Sequence, residues 1–251
     1  MIMGKPNIKY WDWGLLALVI SPIIVTFSAW QLAKAQLTPE LISVEFPTGN
    51  TSRPPSSGTT GGGSRGYCRA ITGEKKKKKE LIALMPTDNT GTTISTNPKF
   101  FLYVPEHKAK LAEFEVKDKS GKSLYSTELN ISTTSGIVKL TLPENVSLKT
   151  NKEYTWTFAI VCDPLDRGTD NLVQGTIKKV EISSELENSL KNATLLEQAK
   201  IYAKAKIWHD TIATVADLRT SNPKEWEELL RSVELEEIAS EPFAPCCQVE
   251  E

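Results

Sequence analysis

Between Leu81 and Ile182 apolar and polar positions alternate with a period of two, and beyond Ile182 the period becomes helical. The first region contains KFFLYVP (Lys99 to Pro105), LAEFEVKD (Leu111 to Asp118), KSLYSTELNI, GIVKLTLP, EYTWTFAIVC and NLVQGTIKKVEI, each bounded by Gly, Pro, Asn or Asp. Successive side chains of a strand point to opposite faces, so Tyr154, Trp156, Phe158, Ile160 and Cys162 share one face. DKSGKS (Asp118 to Ser123) reads as a hairpin turn, with Gly121 free to take positive φ. Six or seven short strands with turns roughly every ten residues predict an antiparallel β-sandwich of immunoglobulin-like architecture. The spacing also places Trp156 as a buried ring packed near a disulfide at Cys162, although the Cys…Trp…Cys order of immunoglobulin domains is absent.

In the helical region SELE (Ser184 to Glu187) and TLLE (Thr194 to Glu197) both fit the capping box, in which a hydroxyl and a Glu satisfy free N–H groups reciprocally. Ala199, Tyr202 and Ala205 line one face of the second predicted helix, and Ile212, Val215 and Ala216 line the next. Asn222-Pro223 stops that helix and starts another with an apolar stripe of Trp226, Leu229, Leu230 and Val233. The antiparallel pair over 194–221 has the form of one tetratricopeptide-like unit. A lone unit cannot bury both faces, so it must pack on the sandwich, on added helices or on a partner. The overall expectation is an α+β chain, a sandwich over 67–183 followed by a small α-helical region over 184–245.

The N-terminus adds a compartment. Lys5 and Lys9 precede the apolar run GLLALVISPIIVTFSAW (Gly14 to Trp30), and Ala33 and Ala35 occupy the small-residue positions before Gln36. A basic start, a short apolar run broken by Pro22 and an A-x-A site describe an export signal over 1–35. The competing reading keeps residues 14–30 as an uncleaved membrane anchor. Either places the rest of the chain outside the cytoplasm, in the periplasm or beyond. Cys68, Cys162, Cys246 and Cys247 all follow the cleavage site, and an even number in an exported chain points to disulfides. Zinc finds no C-x-x-C pair and no histidine near a cysteine. A vicinal Cys246–Cys247 bond closes a strained ring, which favours bridges from the tail (246–251) to Cys68 and Cys162 over a Cys68–Cys162 pairing.

Residues 36–66 form the expected N-terminal linker. PTGNTSRPPSSGTTGGGSRG (Pro47 to Gly66) holds almost no large apolar residue and cannot offset the entropy of ordering it. The region before Gly66 is therefore expected to be dispensable for folding. GTTGGGSRG lacks the Lys-Ser/Thr ending of a phosphate loop. Lys75, Lys76, Lys77, Lys78 and Lys79 form a block of like charge, read as a solvated surface loop with anionic headgroups or acidic polymers as its alternative contacts. No aromatic residue is interleaved with them for base stacking, and a formal net charge of −1 over 251 residues argues against a nucleic-acid binder.

Catalytic material is sparse. The two histidines, His107 in VPEHKAK and His209 in KIWHDTI, match no motif and read as an exposed loop residue and a solvated helix-end residue. The ligand candidate is CDPLDRGTDN (Cys162 to Asn171), where Asp163, Asp166 and Asp170 could present oxygens to calcium. The spacing is not that of an EF-hand loop, no Glu closes the far side, and Arg167 opposes a cation. A structured turn is the favoured reading, with no cofactor expected.

GGGSRGYC, LIALMPTDNTGTTISTNPKFFLYVP, YTWTFAIVCDPLDRGTDNLVQGTIKKV, IWHDTIATVADLR and EPFAPCC together resemble the mainly cyanobacterial family known as domain of unknown function 928. The likeness runs from about Gly61 to Cys247 and departs at the Lys75–Lys79 insert and at Lys206, where the interhelical turn often has glycine. It implies an exported protein without an assigned activity and carries no catalytic residues across. The expected function is a non-enzymatic extracytoplasmic binding or scaffold module with a protein partner in the envelope and no nucleic acid. The alternatives are an envelope enzyme using the Cys162–Asn171 carboxylates, and a surface-associated protein with a polylysine arm. Membrane contact would run through an uncleaved N-terminal segment or the lysine run.

Overall fold

A computed structural model of the chain describes Met1, residues 43–47, residues 79–245 and the backbone of 248–249. Residues Ser43–Glu251 fall into one compact unit. The class is α+β, with two sheets and four α-helices among the described residues. Strands β1 (Ile82–Ala83), β3 (Lys99–Val104) and β6 (Gly136–Thr141) form a three-stranded antiparallel sheet in the order β1-β3-β6. The larger sheet has the order β2-β8-β7-β4-β5-β9. Its members are β2 (Thr90–Thr93), β4 (Leu111–Asp118), β5 (Ser123–Asn130), β7 (Glu153–Val161), β8 (Asn171–Lys179) and β9 (Gln248–Val249).

The period-two pattern produced the central strands as expected. Tyr154, Trp156, Phe158 and Ile160 are all buried on β7, opposite buried Ala112, Phe114 and Val116 on β4. Phe100 of the small sheet meets Phe114 and Trp156 of the large one at ring-centroid distances of 5.0 and 5.4 Å, so the two sheets share one aromatic core. Gly121 has φ +82° and its amide donates to the Asp118 carbonyl at 2.9 Å, closing the predicted hairpin.

Several details differ from the sequence reading. The large sheet is mixed: β2 runs parallel to β8, with Thr90 opposite Thr176. TGTT has no apolar alternation to announce a strand, and its backbone is ordered by pairing with β8. Trp156 and Cys162 do share a face, but six residues of strand separate them by about 20 Å, so the indole packs on Phe100 and Phe114 and not on the cysteine.

Residues 43–47, expected within the linker, pack into the core. Val44 is fully buried and its amide donates to Glu225 Oε2 at 2.7 Å; the Phe46 amide donates to Ser232 Oγ at 2.9 Å. Phe46 also meets Trp208 edge-on at 4.9 Å. Apolar Val44 and Phe46 in SVEF supply enough buried surface to dock the segment. The remainder of 36–66 lies outside the described residues.

The helices are α1 (Ser184–Leu190), α2 (Leu195–Lys204), α3 (Trp208–Leu218) and α4 (Pro223–Ser232). The TLLE capping box forms fully: Glu197 N donates to Thr194 Oγ1, and Thr194 N donates to Glu197 Oε2 at 2.7 Å. SELE does not. Ser183 caps α1 instead, accepting from Leu186 N at 3.2 Å, because the helix begins one residue earlier than the box requires. Lys206 takes the positive φ (58°) of the turn between α2 and α3, and Thr92 Oγ1 donates to its carbonyl.

Helix α3 joins helices to sheets. The Trp208 indole N–H donates to the Leu84 carbonyl at 3.0 Å, and Asp210 Oδ2 accepts from Thr93 Oγ1 at 2.7 Å. Arg219 then fastens the C-terminal segment. Its guanidinium donates to the Ala239 and Glu241 carbonyls and lies over the rings of Trp226 and Phe243. Ile137 and Ala244 continue the attachment by backbone bonds onto β6 before β9 pairs with β5.

Candidate ligand-binding cleft

Two turns and the end of strand β8 meet at one end of the large sheet. In the β4–β5 turn Asp118 Oδ1 accepts from Ser120 N (2.9 Å), Ser120 Oγ (2.6 Å) and Lys122 N (3.0 Å). The Ser120 hydroxyl above all holds its carboxyl below the usual range, so Asp118 is ionised, with Oδ1 engaged by its own turn. In the turn before β7, Asn151 adopts φ +61° and its amide donates to the Lys179 carbonyl at 2.7 Å. Buried Tyr154 accepts at its hydroxyl from the Lys149 amide at 3.1 Å. The register then sets Asp118 opposite Tyr154 and Glu153 opposite Lys178. Together these segments surround an open cleft of about 550 Å³ lined by Lys119, Lys122, Lys149, Lys152 and Lys178, with Asp118 and Glu153 as its acids. Lys119 pairs with Glu153 at 3.3 Å. The other four lysines have no carboxylate within ion-pair distance among the described residues.

The Cys162–Asn171 loop lies at the opposite end of β7, about 26 Å away along the strand. It is the structured turn anticipated, wound as a short 3₁₀ segment at Arg167–Thr169. Asp163 accepts from Leu165 N and Asp166 from Gly168 N. Asp170 accepts from the Cys162 amide at 3.1 Å and from Arg167 Nε at 2.6 Å. Arg167 also holds Glu113 with both terminal nitrogens, at 2.9 and 2.7 Å. This bidentate bond, then Asp170, raises the guanidinium pKa further. Among the described residues no group of three or more acidic, His or Cys side chains converges to hold a metal ion. Asp163 and Asp166 accept from amides of their own loop, and Asp170 alone of the three pairs with Arg167.

Both histidines depart from their expected exposure. His107 is 3% exposed and burial lowers its pKa. His209 is 2% exposed, lies edge-on to Phe100 at 5.0 Å and has Nδ1 3.0 Å from the Lys99 carbonyl. Burial pulls it down to about 4, so its ring is neutral at physiological pH. The helix end on which it sits faces the sheets, which a helical period cannot reveal.

Cys162 is not a free thiol. Cys68, Cys246 and Cys247 lie outside the described residues, as do Lys75 to Lys78. Lys79 is described and is anchored: its ammonium sits 2.6 Å from Glu241 Oε1 and over the Tyr103 ring. Residues 14–30 are likewise outside, and among the described residues no helix is long and apolar enough to cross a membrane.

The family model called Domain of Unknown Function (DUF928) matches residues 60–243. The chain belongs to this family. Its matched segment takes in both sheets up to the C-terminal strap, the Arg167 clamp and every residue lining the lysine cleft. No curated protein matches the chain. Nothing in the sequence marks the cleft, because its lysines come from two turns and the end of β8, spread over sixty residues.

Proposed function

We propose that this member of the family is an exported, non-enzymatic binding or scaffold module of the cell envelope. One observation carries the reading. His209 is buried in the core and Asp170 is held in the Arg167 clamp, whereas four cleft lysines have no carboxylate partner among the described residues. Export rests on the basic start, the apolar run and Ala33-x-Ala35, with anchoring by residues 14–30 as the competing form. The two sheets sharing an aromatic core support an immunoglobulin-like sandwich, and the α2–α3 pair, with α2 capped by Thr194, supports a tetratricopeptide-like unit suited to an envelope protein partner. Even cysteine number and export support disulfides from the tail to Cys68 and Cys162.

Fusing residues 1–35 to a phosphatase active only outside the cytoplasm tests the compartment. Phosphatase activity in whole cells is expected, and an inactive fusion removes the export reading. Incubating the purified mature protein with envelope glycans and esters tests the second half. Hydrolysis that is lost on Asp163→Asn or Asp166→Asn would establish an enzyme instead.

A further inference from the structure

We propose that the lysine cleft binds an acidic polysaccharide, a sugar chain carrying repeated carboxylate or sulfate groups. The proposal deepens the binding-module reading and rests on it. Charge is segregated in this nearly neutral chain. Residues 184–241 carry twelve acidic and seven basic side chains. The cleft carries five lysines and two acids; Asp118 is hydrogen-bonded within its own turn and Glu153 pairs with Lys119. With five lysines against two carboxylates the cleft keeps a net positive charge, carried by Lys122, Lys149, Lys152 and Lys178, which focuses the field and concentrates anions.

The residue types narrow the anion. Lysine ammonium groups are mobile point charges suited to anionic groups spaced along a flexible chain; planar, bidentate recognition of phosphodiesters favours arginine, and the cleft has none. Nucleic acid strands would also use exposed aromatic platforms, but Tyr154 is 5% exposed and its hydroxyl is engaged by the Lys149 amide. Leu124 is the one large aliphatic side chain lining the cleft, so an apolar peptide side chain would find a single anchor there. Exposed Asn151 can exchange hydrogen bonds with sugar hydroxyls through its amide. A volume of about 550 Å³ suits a short stretch of such a chain.

Calorimetric titration of the mature protein with polygalacturonate and with dextran sulfate, using plain dextran as control, tests this at 20 and 200 mM NaCl. At least one charged polymer is expected to bind, more weakly at higher salt, while dextran does not. Which polymer binds separates carboxylate from sulfate as the recognised group. The triple variant Lys122→Gln, Lys149→Gln, Lys152→Gln should lose about tenfold or more in affinity with an unchanged melting temperature. The double variant Lys108→Gln, Lys110→Gln, at the far end of β4, should bind as the parent does. No binding by either polymer at low salt, an equal loss in both variants, or tighter binding of polyglutamate or DNA would overturn the proposal. Failure here with an active export fusion and no hydrolysis leaves the module reading standing and removes only the ligand.

Discussion

Replacing Phe46 by Ala tests whether the short segment before the glycine-rich stretch is part of the folded core. Phe46 is 7% exposed, its ring meets Trp208 at 4.9 Å and 83°, and its amide is held by Ser232. Truncating a core phenylalanine costs about 3–5 kcal/mol. A segment bound along one side can settle inward, so about 3 kcal/mol is the expected loss. That is a large share of the roughly 5–15 kcal/mol that holds a domain together. With a urea slope of about 2–3 kcal/mol/M for a chain of this size, the unfolding midpoint should fall by roughly 1–1.5 M. Tryptophan fluorescence and far-UV circular dichroism should report the same transition, which licenses a single free energy. Phe46→Leu should fall between the two, and deleting residues 36–66 should cost more than Phe46→Ala by also removing Val44. A Phe46→Ala midpoint within about 0.3 M of the parent at equal slope would refute the docking.

Gly91→Ala would place a Cβ 2.6 Å from His209 Nε2, a ring fixed against Phe100, so we expect a loss of about 1–3 kcal/mol by thermal melt. The loss should shrink when His209→Ala is combined with it, and additive losses would show that the ring is not the obstacle. His209 is held at about 4 when folded and titrates near 6.5 when unfolded, so the unfolded chain binds a proton that the folded one refuses. Its stabilisation is full above pH 6.5 and fades as pH falls toward 4, by up to about 3 kcal/mol. His107 acts in the same direction, while burial of Asp210 raises its pKa and opposes the trend just above its ordinary range. His209→Gln should flatten stability against pH over this window, and an unchanged slope would contradict the assignment. Non-reducing peptide mapping should join Cys162 and Cys68 separately to the Cys246–Cys247 peptide; a direct Cys68–Cys162 link would exclude this pairing.

The central strands, the Asp118–Ser123 hairpin and the Thr194 capping box were legible in the sequence alone because each is local. The alternation in EYTWTFAIVC follows from backbone geometry, and Thr194 and Glu197 satisfy one another within a single turn. Parallel pairing of TGTT with β8, the docking of Val44 and Phe46 and the burial of His107 and His209 were not, since each depends on a surface supplied by residues far along the chain. The cleft is the clearest case. Lys122, Lys149 and Lys178 are ordinary solvated residues in sequence, and only the register of β4, β7 and β8 brings them to one end of the sheet. Local periodicity determines which elements form; the tertiary pairing of strands decides which charges become neighbours, because Coulomb energy depends on distance in space.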